Sequence, residues 1–364
     1  MLDSKKYIID KLELSHGTNN PLLSMEGLRG VAVFLVFSVH YNALIEPYIS
    51  SSTLIVSHTI SHFSHLGVDL FFVLSGFLIY GSIIKKSKFN PLTYTKRRFE
   101  RIYPTFLFVF IIYLFLSFLF PSESKIPSSL SDGFVYIIQN LLLLPGLFKI
   151  TPIITVAWSL SYEVFFYLMI PVVIFSLRLK SWPSNSRIAF WSVITALSFF
   201  CFYYWGGPIR MVMFIAGIIL FELHAIKGVK LKSFGALYLF MALLIFGLRT
   251  FIQIPFIVLI ILTFLLFIAF CLVAFNSESS TSRWLVFSPL RWLGNMSYSY
   301  YLIHGLVLKF SFLVLSLFSV DSYIENSWYY LLWAPLFIFT LGVSLALYLC
   351  IERPLSLNFG TKKE

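Results

Sequence analysis

Charge is scarce in this chain: Asp, Glu, Lys and Arg make up 12% of its 364 residues, about half the share found in soluble domains. With 59% hydrophobic residues and a mean hydropathy of +0.86, that scarcity excludes an ordinary water-soluble globule. Acidic residues are the scarcer sign, 16 against 27 Lys and Arg, leaving a net charge of +11. The basic residues gather in short stretches beside apolar runs, the pattern of topological signals and anionic-lipid contact, so no nucleic-acid partner is expected. Cysteine is sparse too: Cys201, Cys271 and Cys350 fall within or at the ends of apolar runs, a spacing that suggests neither a disulfide framework nor a zinc site. The opening stretch MLDSKKYIIDKLELSHGTNN is too polar for a cleavable signal peptide, so the first apolar run is expected to remain as a span. Internal repeats, low-complexity tracts and the short alternating segments of an outer-membrane barrel are all missing.

What the chain has is apolar length. Forty-one Phe and a series of apolar runs near the roughly 20 residues that a bilayer core of about 30 Å requires predict an all-α integral membrane protein. Ten spans are expected, at 28–45, 66–85, 102–120, 156–177, 188–205, 209–225, 233–249, 254–275, 293–317 and 328–350. An eleventh candidate at 133–148 is short and interrupted by Gln139, Asn140 and Pro145. Lys5, Lys6 and Lys11 place the amino terminus in the cytoplasm; the segment 46–65 has no Lys or Arg; Lys86, Lys88, Lys96, Arg97, Arg98 and Arg101 follow the second span. If 133–148 is re-entrant or interfacial, Arg178, Lys180, Arg187, Lys227, Lys230, Lys232, Arg283, Arg291, Arg353, Lys362 and Lys363 all fall inside, and both termini are cytoplasmic. The expected organisation is a cytoplasmic segment at 1–24, one transmembrane domain at 25–354 and a cytoplasmic tail at 355–364, with no appended soluble domain.

Ionisable groups inside spans are costly and mark candidate sites. Arg29 and His40 are eleven residues apart, within about 20° of one helical face and about 16 Å along the axis. Taken singly, Arg29 could simply snorkel and His40 could be a hydrogen-bonded core residue. Asp69 opens the second span, where a helix N-terminus would favour a carboxylate. Glu163 lies about two turns into the fourth span and needs a partner from another helix, His40 or Arg29 being candidates. His58, His62 and His65 run with Asp69 at helical spacing, read as a solvated amphipathic face in preference to a divalent-metal site. Arg98 and Arg101 share a face, and beyond the positive-inside signal their spacing suits capture of phosphate oxygens. Ser75, Ser159 and Ser161 read as small helix-packing residues.

Six stretches, in order, give these residues a common setting: MEGLRGVAVFLVFSVH (25–40), GVDLFFVLSGFLIYG (67–81), TKRRFERIYP (95–104), WSLSYEVFFYLMIP (158–171), LGNMSYSYYLIH (293–304) and IERP (351–354). Together they resemble the acyltransferase-3 family of bacterial integral-membrane O-acyltransferases across nearly the whole chain. The resemblance implies transfer of an acyl group, commonly acetyl, from cytoplasmic acyl-CoA to a hydroxyl of a cell-surface or lipid-linked glycan, at the bacterial inner membrane. It implies that Arg29 and His40 are required, that Arg98 and Arg101 contact the CoA phosphates, and that Glu163 occupies the family's WSLS-x-E position. Departures are Glu26, where Asp is common, and His58, His62 and His65, which lie outside the pattern. Relatives carry a fused SGNH-type domain in some cases; none is expected here, and the protein is expected to act alone or with a separate partner. His40 would serve as general base, supported by a carboxylate such as Glu163 or Asp69, or as a covalent acyl carrier. His304, Tyr162 and Tyr301 are expected to line the cavity. The competing reading is a transporter or flippase for lipid-linked sugars, which intramembrane Glu and His would suit.

Overall fold

The computed structural model describes residues 10–14, 21–231, 234–318 and 326–357. Lys5, Lys6, Lys232, Lys362 and Lys363, which enter the topology argument, lie outside them, as do most of the expected terminal segments. The described chain is helical: α1 (Pro21–Ile45), α2 (Ser51–Ser64), α3 (Leu66–Ile84), α4 (Pro91–Leu119), α5 (Leu130–Leu141), α6 (Ala157–Ser176), α7 (Ser184–Trp205), α8 (Val212–Phe221), α9 (Gly235–Leu248), α10 (Phe256–Ala274), α11 (Ser280–Leu285), α12 (Ser288–Asn295), α13 (Ser297–Phe318) and α14 (Asn326–Leu347), which runs into a π-helical segment, Tyr348–Leu357. Among the described residues, nine helices are long and apolar enough to cross a membrane.

One of the ten expected spans differs. Over 233–249 the structure has only α9, 14 residues or about 21 Å, short of a hydrocarbon core of about 30 Å. The segment 133–148 is also too short to cross. Its helix, α5, has 12 residues, about 18 Å, and ends in a turn where Leu143 and Gly146 adopt φ of 55° and 90°. Asn140 ties that turn down: its Oδ1 accepts from Ile153 N at 2.7 Å and its Nδ2 donates to Tyr136 O at 3.0 Å. The expected loop at 46–65 is largely α2, which continues almost directly into α3, giving one helical run over Thr53–Ile84.

α1 sits at the centre, against α3, α12 and α13. Glycine makes the packing of α1 on α11 and α12 intimate: a Cβ on Gly27 or Gly30 would collide with the carbonyl oxygens of Leu285 and Leu290, and one on Gly294 with that of Glu26. Backbone therefore rests on backbone on either side of Arg29, the close approach small residues permit between membrane helices. α3 and α8 pack the same way through Gly76 and Gly217.

A buried ion pair fastens α7 to the end of α8. Arg187 Nε and Nη2 donate to Glu222 Oε1 and Oε2 at 2.6 and 3.1 Å, and Glu222 also accepts from Tyr80 at 2.6 Å and Ser184 at 2.9 Å. The Glu222 side chain is fully enclosed. Arg187→Met leaves that carboxylate uncompensated and is expected to cost about 3–5 kcal/mol, read as a lowered Tm of detergent-purified protein. The double variant Arg187→Met/Glu222→Met is expected to recover much of the loss; if it is no more stable than the single variant, the pairing argument fails.

Candidate active site

α1 contributes to the lining of two cavities. The smaller, about 170 Å³, is lined by Arg29, Arg98, Arg101, Ser75, Glu163 and Tyr301, among others. On α6, Ser159, Glu163 and Tyr167 recur every four residues and so face it together. Glu163 Oε1 accepts from Ser75 Oγ at 2.7 Å and from the Tyr167 hydroxyl.

The three arginines are held differently. Arg101 Nη1 donates to Glu352 Oε1 at 2.8 Å, and Glu352 Oε2 accepts from Ser299 N and Oγ at 2.9 and 2.6 Å. This one enclosed carboxylate thus fixes Arg101 and tethers the first turn of α13. Arg98 has aromatic neighbours, its guanidinium 5.4 and 5.3 Å from the Tyr94 and Tyr167 ring centroids, plus a long bond to Ser82 at 3.4 Å. Arg29 makes no hydrogen bond or ion pair with the described residues. The cavity therefore sets three guanidinium groups against one lining carboxylate, Glu163, and neither Arg29 nor Arg98 is in a direct ion pair, a net positive composition suited to an anion.

His40 lines the larger cavity, about 970 Å³, with residues of α4, α13, α14 and the segment 153–156. Its Nδ1 is 2.8 Å from Val36 O and 3.3 Å from His304 Nε2, while His304 Nδ1 is 2.9 Å from Tyr300 O. A carbonyl can only accept, so each Nδ1 carries hydrogen. His304 Nε2 is then a lone pair facing the His40 Nδ1–H, and His40 Nε2 is a lone pair left for a ligand. The imidazole rings meet edge to face at 4.8 Å. If His40 takes a proton, the Val36 carbonyl and His304 Nε2 both stabilise the cation.

The cavities are divided at Tyr301. Its hydroxyl donates to Val156 O at 2.9 Å and pairs with Ser159 Oγ at 2.5 Å; Tyr301 and Ser159 line the smaller space and Val156 the larger.

Several expected roles are reassigned by this geometry. Glu163 belongs to the arginine cavity and is hydrogen-bonded there, so it does not support His40. Asp69, fully enclosed, pairs with Arg210 Nη1 at 2.5 Å. It caps nothing, because α2 leads into α3 and leaves no free helix N-terminus. Tyr162, one residue off the Glu163 face, packs against Phe72 and Trp158 and lines neither cavity. His304 stands behind His40 with no exposed surface. The outer histidines diverge: His58 pairs with Glu46 at 2.9 Å and His62 with Thr250 at 3.0 Å, and no cluster of three metal-ligating residues occurs among the described residues. Glu352, Arg210, Glu222 and Arg187 were not singled out by sequence. The signal was present, since Arg210, Glu222 and Glu352 each interrupt or border an apolar run and so require a partner.

Comparison with known proteins settles the family: residues 22–351 match the acyltransferase domain of the acyltransferase-3 family. The chain belongs to that family. An alignment 230 positions long, covering 55% of the chain, is 28% identical to the acyltransferase MdmB of Streptomyces mycarofaciens and covers 56% of it. Another, 176 positions long and covering 45% of the chain, is 31% identical to the O-acetyltransferase OatA of Staphylococcus aureus and covers 26% of it. The chain thus spans about half of the first relative and a quarter of the second. No solved structure matches.

Proposed function

We propose that this protein transfers an acyl group, acetyl in the simplest case, from cytoplasmic acyl-CoA to a hydroxyl of a cell-surface or lipid-linked glycan at the bacterial inner membrane. One observation carries the reading: a single helix holds an unpaired guanidinium, Arg29, in one cavity and a histidine with a free Nε2, His40, in the next. Family membership and the names of the relatives support it. Arg29, Arg98 and Arg101 would hold the CoA phosphates, and the narrow pantetheine arm would reach past Tyr301 to His40. There His40 Nε2 takes the acceptor's hydroxyl proton, the oxygen attacks the thioester carbonyl, and the departing CoA thiolate recovers the proton from the imidazolium. The alternative is two steps, with His40 Nε2 acylated first and the acceptor attacking the acyl-imidazole.

The reading is tested by incubating the purified protein, reconstituted in vesicles, with radiolabelled acetyl-CoA and membrane glycolipid extract; label in the glycolipid ester fraction is expected. Sugar export without acyl transfer would favour the flippase instead. The divide at Tyr301 adds a finer prediction. Tyr301→Ala merges the two cavities and is expected to raise CoA release relative to acylated product, as water reaches the thioester. Tyr301→Phe keeps the ring and is expected to stay nearer the parent ratio. Thiol titration beside product counting reads both, and an unchanged ratio in Tyr301→Ala removes the partition role.

A further inference from the structure

The cavity beside His40 is mostly apolar, with a few polar groups set into it. α13 and α14 contribute Leu306, Phe310, Leu313 and Phe339. Phe310 and Leu313 are about half exposed, at 59% and 49%, so this wall continues onto the surface that a bilayer would cover. α4 and the residue that follows it bring polar groups among apolar ones, Leu116 and Phe120. Tyr113 and Ser117 on α4, one turn apart, line the space with Ser122 beyond them, and none of their hydroxyls hydrogen-bonds another described residue. This row leads from His40 to the rim, where Lys309 is neutralised by Glu123 at 2.6 Å and Lys125 is not neutralised. Lys125 Nζ donates to Pro152 O at 3.0 Å and Thr155 Oγ1 at 3.1 Å. An ammonium has three donors, so one remains for an anionic oxygen.

A polymer of sugars fits such a space poorly, because every hydroxyl facing α13 would be desolvated without a partner. A hydrocarbon chain alone would leave the α4 hydroxyls and Lys125 unused. We propose that this cavity binds the acceptor and that the acceptor is a membrane-borne amphiphile. Its hydrocarbon lies against α13 and α14, its phosphate meets Lys125, and the adjoining sugar is held along Tyr113 and Ser117 with one hydroxyl at His40 Nε2. It enters sideways from the bilayer. This rests on the acyltransferase reading and narrows the acceptor from glycans at large to phosphate-bearing lipids.

The test uses the full chain in phosphatidylcholine nanodiscs and a diazirine-tagged farnesyl phosphate, with tagged farnesol as its neutral counterpart. The phosphate is expected to label peptides from α4 and α13 at least tenfold more efficiently than the alcohol. Lys125→Glu, at an exposed position, is expected to abolish that preference while the protein still melts as a folded bundle. Leu306→Trp, which fills the apolar wall, is expected to block both probes. Equal labelling by the two probes, indifferent to Lys125→Glu, would mean contact with bulk lipid only and would overturn the proposal. Labelling needs no acyl-CoA, so the two readings separate: acylation of a soluble oligosaccharide with no phosphate-selective labelling sinks the amphiphile site alone. Selective labelling with no acyl transfer to any acceptor sinks the acyltransferase reading and leaves a lipid-phosphate site.

Discussion

His40→Ala is expected to lower acyl transfer by about a thousandfold, inside the range of roughly 10²–10⁴ attributed to a positioned acid or base. The variant removes the one ring nitrogen that the hydrogen bonds leave available in the larger cavity, and the Val36 carbonyl and His304 Nε2 cannot replace it, since neither is positioned in the lining of that cavity. Because Arg29, Arg98 and Arg101 lie in the other cavity, CoA binding by the same variant should be unchanged, which separates lost chemistry from lost folding. His304→Gln should be milder, since it weakens the support behind His40 and leaves the reacting nitrogen. Product formation by mass spectrometry, with CoA affinity by calorimetry, measures both. Full transfer by His40→Ala in reconstituted protein would defeat base and acyl-carrier chemistry together. A hydroxylamine-sensitive acyl group on the parent, absent from His40→Ala, would select the carrier.

The second large effect is on donor binding. Arg29→Gln removes a guanidinium that no described carboxylate holds in a direct ion pair, and Glu163 and Glu352 keep their hydrogen bonds to Ser75, Tyr167, Ser299 and Arg101, so the fold should hold. A charged hydrogen bond to phosphate contributes about 1.5–3 kcal/mol, which converts to roughly 10–100-fold in affinity. The loss should appear in the KM for acyl-CoA, with kcat largely kept, because a phosphate remote from the thioester is bound alike in ground and transition states. Arg101→Gln is different: it strips Glu352 of its cation inside the bundle and should lower Tm as well. The measurement is steady-state kinetics at several salt concentrations beside thermal melts. A parent-like KM in Arg29→Gln would remove Arg29 from the donor site.

How legible this was in the sequence depended on range. The helical face shared by Arg29 and His40 follows from residues eleven apart, and the pairing of Arg98 with Arg101 from residues three apart; local periodicity carries such information. The six ordered motifs carried the family. Partners far apart in sequence were hidden. Arg101 and Glu352 are 251 positions apart, Asp69 and Arg210 are 141, and His40 and His304 are 264, and no local pattern chooses among the candidates. Glu163 shows the effect: the expectation that it needed a partner from another helix was sound, but the partner is Ser75, with Tyr167 on its own helix, and the cavity is that of the arginines. The span expected at 233–249 is shorter in the structure for another reason, since hydropathy counts apolar residues and not where the helix ends. α9 stops at Leu248, and the chain turns through Arg249–Ile254 before α10.

The glycine contacts around Arg29 bear on the length of the acyl group. With Gly27, Gly30 and Gly294 seated on facing carbonyls, this end of α1 has no slack, and His40 rides on the same rod about 16 Å further along. If the site grips a CoA thioester as proposed, the donor would be measured against a ruler whose zero mark does not slide. Each added methylene has to be accommodated beyond His40, so acyl-length selectivity would be set by the room at that far end, and widening it would be the way to retune the enzyme for longer donors.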